Sequence, residues 1–146
     1  MSLFFNSPTL NGLPFPPKGV PVIVAAANIA AQTNAATVIS FVTQPADSDF
    51  EIGAQMSVTA STALSTTFVC SYTDVANVAR SMTIPVHANA GTFVAGGAIT
   101  GAGVTVWETP AMNLRAKAST TITISTTAGT FTGVTYSASA TIKQLT

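Results

Sequence analysis

The residues able to do chemistry in this chain are few and lie apart. His87 is the single histidine and Cys70 the single cysteine. A hydrolytic triad would have to draw its base from His87, and no G-x-S-x-G elbow presents a serine to it. Following "TIPV", His87 reads as the polar end of a strand. Cys70 alternates with Phe68 and Tyr72 in "TTFVCSYT", the setting of a small buried hydrophobe rather than a nucleophile. One cysteine makes no intrachain disulfide and no thiolate metal cluster. "DSDFE" gathers Asp47, Asp49 and Glu51, a fragment of the oxygen-ligand spacing that holds calcium. It lacks the turn glycine and the distal bidentate Glu of an EF-hand loop, so a solvated loop is expected. As an acid–base pair for glycoside cleavage, these carboxylates need an aromatic cleft, and Trp107 is the only tryptophan. "GGAITGAG" has glycines but neither G-K-[ST] nor the strand-to-helix context of a phosphate loop. It reads as a turn, or as a place where a neighbouring backbone comes close. No catalytic constellation, cofactor site or metal site emerges, and the expectation is a protein that is not an enzyme.

The remaining candidates are contact residues. Arg115 and Lys117 share a strand face with Asn113, near Glu108, and Arg80 opens another strand shortly after Asp74. In a chain so poor in charge, Arg80, Arg115 and Lys117 are candidates for polar interface contacts or for fixing strand register. The alternative is exposed cations of little energetic weight.

The elements that carry these residues alternate with period two. Ile39 with Phe41, Met56 with Val58 and Ala60, and Phe68 with Cys70 and Tyr72 each share a face. So do Met82, Ile84 and Val86; Val104 and Val106, opposite Thr105 and Trp107; and Met112, Leu114 and Ala116. Ile122 aligns with Ile124, and Tyr136 with Ala138, Ala140 and Ile142. Turn signals fall at "QPADSDFEIG", "DVANVA", "HANAGTFVAGGAITGAG" and "TTAGTFTG". Eight or nine strands at this spacing predict an all-β fold, an antiparallel β-sandwich or jelly-roll-like domain. The Ala-rich segment 25–36 fits a short helix or a strand. Residues 20–146 form the sandwich domain in this reading, and 1–19 a separate N-terminal arm. The arm is extended because Pro8, Pro14, Pro16 and Pro17 deny it a helix or a central strand. It also carries Leu3, Phe4, Phe5, Leu13 and Phe15, candidates for docking on a neighbouring subunit or on the arm's own domain.

Charged residues make up 7% of the 146 residues, five basic and five acidic, while 47% are hydrophobic. Five scattered cations cannot neutralise a run of phosphates, which excludes nucleic acid as a partner. "VPVIVAAANIAA" is shorter than the ~20 apolar residues that span a bilayer, so no membrane role is expected. A protein with no net charge has little self-repulsion and tends to associate. The hydroxyl positions of the last strands fit the same picture. Thr121, Thr123 and Ser125 alternate with Ile122 and Ile124, and Thr135, Ser137, Ser139 and Thr141 oppose Tyr136 to Ile142. Small neutral hydroxyls lose little on desolvation when they find partners, so these are faces that another surface can cover.

Two segments carry a family resemblance. "TTFVCSYTDVANVARSMTIPV" and "ETPAMNLRAKASTTITISTTAGTFTGVTYSASATIKQL" resemble, over roughly the C-terminal half, small β-rich virion accessory proteins of tailed bacteriophages. The chain departs from the usual pattern at "AKAS", where a glycine commonly follows the alanine. The resemblance implies a capsid decoration or cement protein, a homotrimer bound to the major capsid protein on the capsid surface of the virion. A receptor- or carbohydrate-binding fibre or tail-tip module is the alternative, with Trp107 and Tyr72 as its exposed aromatics.

Overall fold

Period-two alternation of β-branched and aromatic residues with Ser and Thr dictates strands, because each strand then buries one side and wets the other. The computed structural model describes residues 9–10, 13–14, 21–88, 93–101 and 103–145. In chain order the strands are β1 (Thr9–Leu10), β2 (Leu13–Pro14), β3 (Val22–Gln32), β4 (Thr37–Val42), β5 (Ser48–Ala60), β6 (Ala63–Thr73) and β7 (Ala79–Ile84). Then come β8 (Val86–Ala88), β9 (Phe93–Val94), a single 3-10 turn (Ala95–Gly97), β10 (Ala98–Gly101) and β11 (Thr105–Glu108). The last four are β12 (Met112–Ala116), β13 (Thr121–Thr126), β14 (Thr130–Thr132) and β15 (Thr135–Leu145).

Apart from the small β1–β2 pair, the strands form two antiparallel sheets. A seven-stranded sheet runs β3-β15-β5-β11-β8-β9, with β12 also beside β5. A six-stranded sheet runs β10-β6-β13-β4, with β7 and β14 also beside β6. Their facing sides make one core. Phe50, Ile52, Met56 and Val58 of β5 and Tyr136, Ala138, Ala140 and Ile142 of β15 lie on one side of it. Leu64, Phe68 and Cys70 of β6, Ile122 and Ile124 of β13, Ile84 of β7 and Ile99 of β10 lie on the other. This is the β-sandwich that the alternation predicts, and the Ala-rich segment resolves as strand.

Proline sets one crossing between the sheets. The sequence reads "ARSMTIPV" as one strand, but Pro85 has no N–H to give a ladder. The chain breaks there, leaving β7 in the six-stranded sheet and placing β8 in the seven-stranded one. Both Ile84 and Val86 stay buried across the break.

The acidic "SDFEIG" is strand, not loop, and Asp47 lies just before it. Phe50 and Ile52 are buried between Asp49, Glu51 and Gly53 on the outer face, so two large apolar side chains override the low strand propensity of Asp. "TTAGTFTG" likewise holds the short strand β14. In β11 the expected faces are reversed. Trp107 lies across from Met56 and is 8% exposed, whereas Val104, just before the strand, is 74% exposed. Burying the indole removes more apolar surface from water than burying a valine does.

Every buried side-chain nitrogen and oxygen in the described residues has a hydrogen-bond partner. Tyr136, at the core centre, donates its hydroxyl proton to the Asn34 carbonyl at 2.7 Å and lies 3.1 Å from the Thr126 hydroxyl. The Ala36 N–H donates to that same Thr126 oxygen at 2.8 Å. Asn34 and Ala36 belong to the crossover from β3 to β4, so the phenol fastens the connection between the sheets. Gly129 takes part in the neighbouring turn, where a Cβ would run into the Ser65 carbonyl. Replacing Tyr136 by Phe leaves the Asn34 carbonyl without this donor and is expected to cost about 1–3 kcal/mol of unfolding free energy in urea, with the fold retained.

Candidate functional site

Most of the charged residues collect at one end of the sandwich, each with a local partner. The three carboxylates of "DSDFE" do not converge. Asp47 Oδ1 accepts the Ala118 N–H at 2.8 Å, Asp49 lies 3.9 Å from Arg115 Nε, and Glu51 Oε1 accepts from Lys143 Nζ at 2.7 Å. Among the described residues no three His, Cys, Asp or Glu side chains gather to hold a metal ion. His87 is half-buried on β8, across from Glu108.

Arg80 and Lys117, expected as candidate interface contacts, come together in one internal clasp. In the turn between β6 and β7, Asp74 Oδ1 accepts the Val78 N–H at 2.9 Å and Oδ2 accepts from Arg80 Nε at 2.6 Å. Asn77 holds the left-handed conformation that Asn tolerates, with φ 63°. Its side-chain oxygen accepts from Lys117 Nζ at 2.8 Å. Lys117 follows β12 of the seven-stranded sheet, so this contact ties the two sheets at the charged end. Arg115 stands apart, exposed beside Asp49. Of the arm candidates, Leu3, Phe4, Phe5 and Phe15 lie outside the described residues, and Leu13 is described by its backbone in β2.

Cys70 is fully buried, and burial pushes its thiol up to about 12. At neutral pH it stays a thiol, without the thiolate needed for attack. The tryptophan is no platform for a sugar, since its ring belongs to the core. Tyr72 is half-buried at the end of β6, across from Arg80.

What the sheets present outward is a surface of unusual chemistry. Cross-strand register gives the outer face of the six-stranded sheet. It carries Ser40 and Val42 on β4, Thr121, Thr123 and Ser125 on β13, and Ser65, Thr67, Val69, Ser71 and Thr73 on β6. Beyond β6 it continues through Ser81 and Thr83 on β7 and Ala98 and Thr100 on β10. Every outward position on these strands is Ser, Thr, Ala or Val. A solvated antiparallel face ordinarily carries Lys and Glu. The expectation of a neutral hydroxyl face is thus met on β13, and the sequence reading missed that β4, β6, β7 and β10 extend it.

The outer face of the seven-stranded sheet is mixed. Ser137, Ser139 and Thr141 share it with Gln55, Glu108 and the Glu51–Lys143 pair. An open trough of about 280 Å³ crosses it, lined by Gly53, Gln55, Glu108, Thr109, Ser139 and Thr141 among others. Gln55 Nε2 donates to Glu108 Oε1 at 2.8 Å within this trough. No described helix is long and apolar enough to cross a membrane.

No protein-family model matches this chain, and neither does any curated protein or solved structure.

The clasp has a pH signature. The Val78 N–H, followed by the Arg80 guanidinium, holds the Asp74 carboxyl below its ordinary 3.8. A depressed carboxyl stabilises the fold fully above the ordinary value and loses that contribution as pH falls through the lowered one. Asp74→Asn is therefore expected to lower the melting midpoint at neutral pH. It should also flatten part of the acid decline in thermal melts taken from about pH 7 down to about pH 2.

Proposed function

We propose that the chain is a phage virion structural protein, a capsid decoration or cement protein that works as a homo-oligomer on the capsid surface. The observation that supports this reading most is the outer face of the six-stranded sheet, which carries no charged residue on the strands that build it. Covering such a face desolvates no ion, so a partner can bury it without the penalty that Lys or Glu would impose. The hydroxyls keep the free protein wet and can still find acceptors on the covering surface. The absence of net charge agrees with a protein that spends its working life in an assembly.

The mechanism is mechanical. Each copy contributes a modest contact, and symmetric repetition over a shell turns weak contacts into avidity. The trimeric state and the major capsid protein as partner come from the resemblance of the C-terminal half. The apolar arm, with Phe4, Phe5 and Phe15, supplies the clamp between subunits or onto the shell. Burial of Trp107 takes away one of the two aromatics of the carbohydrate-binding alternative and leaves it the half-buried Tyr72.

Co-sedimentation with purified capsids tests the proposal. Deletion of residues 2–18 should abolish oligomerisation or capsid binding while the circular dichroism of the sandwich persists. Ser71→Lys places one charge at the centre of the neutral face and should weaken capsid binding at least about tenfold, because an unpaired charge under an interface costs several kcal/mol. Wild-type mass and capsid affinity in both variants would overturn the proposal.

A further inference from the structure

Glycine inside a strand weakens it, and it is kept where the backbone bends or where something must approach closely. Gly53 is the only glycine in the interior of a described strand, and it lies near the middle of β5. Its φ is not positive, and its register against Thr141 is regular. A Cβ there would lie 3.7 Å from the Thr141 hydroxyl and 3.9 Å from that of Thr109, both ordinary contact distances. Neither the backbone nor the packing of the sheet therefore requires glycine at this place. What a side chain would change is the trough above it, which it would fill.

Strand register builds that trough. Glu108, Gln55, Ser139 and Asn28 stand opposite one another on β11, β5, β15 and β3. At ~4.8 Å between neighbouring strands the row is about 14 Å long. Gly53 and Thr141 flank it on one side. On the other, a second hollow of about 180 Å³ shares Gln55 and Ser139 and adds Ser57 and Ser137. Together the two hollows fall within the roughly 300–1,000 Å³ of small-molecule sites. Ser57, Ser137, Ser139 and Thr141 are half-buried, and no described group hydrogen-bonds their hydroxyls.

The lining selects the ligand. Its amides, hydroxyls and single carboxylate both donate and accept, as the hydroxyls of a sugar do. It holds no purely apolar side chain larger than alanine, so a lipid or an apolar peptide side chain finds no anchor. It holds no cation either, and a phosphate, sulfate or acidic sugar would meet the Glu108 carboxylate without a counter-charge. Gln55 Nε2 donates to Glu108 Oε1 at 2.8 Å, which fixes both planar groups in the row. We propose that this trough binds a neutral oligosaccharide, laid across the strands, with Gly53 allowing its closest approach to the sheet. No aromatic ring lines the trough, so each sugar unit is held weakly and affinity accumulates over several. The site is thus distinct from one built on Trp107 and Tyr72. It also stands apart from the capsid reading, because the neutral hydroxyl face belongs to the other sheet and both can be occupied at once.

An array of neutral and acidic glycans, probed with the full chain, is expected to give hits among the neutral ones. The strongest hit, added as free oligosaccharide from about 10 µM to about 10 mM, covers the range of weak sites. Amide resonances of Gly53, Gln55, Ser139 and Thr141 should shift in that titration. Gly53→Val fills the trough and should abolish the shifts, while its melting midpoint holds or rises because valine favours a strand. Gln55→Ala should weaken binding about fivefold, the loss of a hydrogen bond or two. Gly53→Ala, whose Cβ has room, gives a second reading of the trough should the valine fail to fold, and it too should weaken binding. No neutral hit, hits on acidic glycans alone, shifts confined to other strands, or glycine variants that bind as wild type would each overturn the proposal. Co-sedimentation of Gly53→Val with purified capsids should match wild type. Its loss would name the shell as occupant of the trough and overturn the sugar site, whereas failure of wild type to sediment bears on the decoration reading alone.

Discussion

The pairing of β5 with β15 is the interaction on which the rest of the sandwich depends. The two strands stay in register from Tyr136 opposite Val58 to Leu145 opposite Asp49. Along that ladder Ala138 faces Met56, Ala140 faces Ala54 and Ile142 faces Ile52, all buried. The small residues let the opposite sheet approach, and Phe50, Phe68 and Tyr136 fill the space around them. On its other side β5 has two partners, β12 near its start and β11 further on. Thr109 bridges the change of partner, its N–H donating to the Ala54 carbonyl at 2.9 Å and its hydroxyl accepting the Ala54 N–H at 2.8 Å. Both backbone groups of Ala54 are thus paired where β5 changes partner.

Once this ladder is set, the placement of charge follows. The ends of β5, β6, β12 and β15 that meet near Ser48 carry Asp47, Asp49, Glu51, Asp74, Arg115, Lys117 and Lys143. The clasp of Asp74, Asn77, Arg80 and Lys117 closes the sandwich there, in place of the apolar contacts that run out at its rim. The six-stranded face is relieved of charge by the same distribution. Hydroxyls on β-branched Thr favour the strand and keep the face wet while it stays uncovered. Charge and its contacts are thus kept at one end, apart from the neutral face.

Much of the fold was legible from period-two alternation, and the exceptions have physical causes. Tyr136 to Ile142, Ile122 with Ile124, and Leu114 with Ala116 lie inward as their spacing predicts. Phe50 and Ile52 were hidden because acidic neighbours look like loop. The inward turn of Trp107 came from its register against Met56, which is a long-range fact absent from local pattern. Among the candidate contacts, Arg80 and Lys117 could be picked out for rarity of charge, but their meeting through Asp74 and Asn77 required the fold. The neutral face was visible on β13 alone. Its extension to β6 and β7 depends on strand order, which composition does not encode.

The proposed function requires that the hydroxyl face of the six-stranded sheet be covered in the working assembly. Thr123 lies at its middle, across from Ser40 on one side and Ser71 on the other. Because Cys70 is buried and its thiol pushed up to about 12, a Thr123→Cys variant offers one reactive thiol. Its labelling rate, compared between free protein and protein bound to purified capsids, reads coverage of the face. With the face covered, the rate should be at least about tenfold slower in the bound state, as the thiol loses access to reagent. Equal rates in the two states, with binding intact, would contradict it.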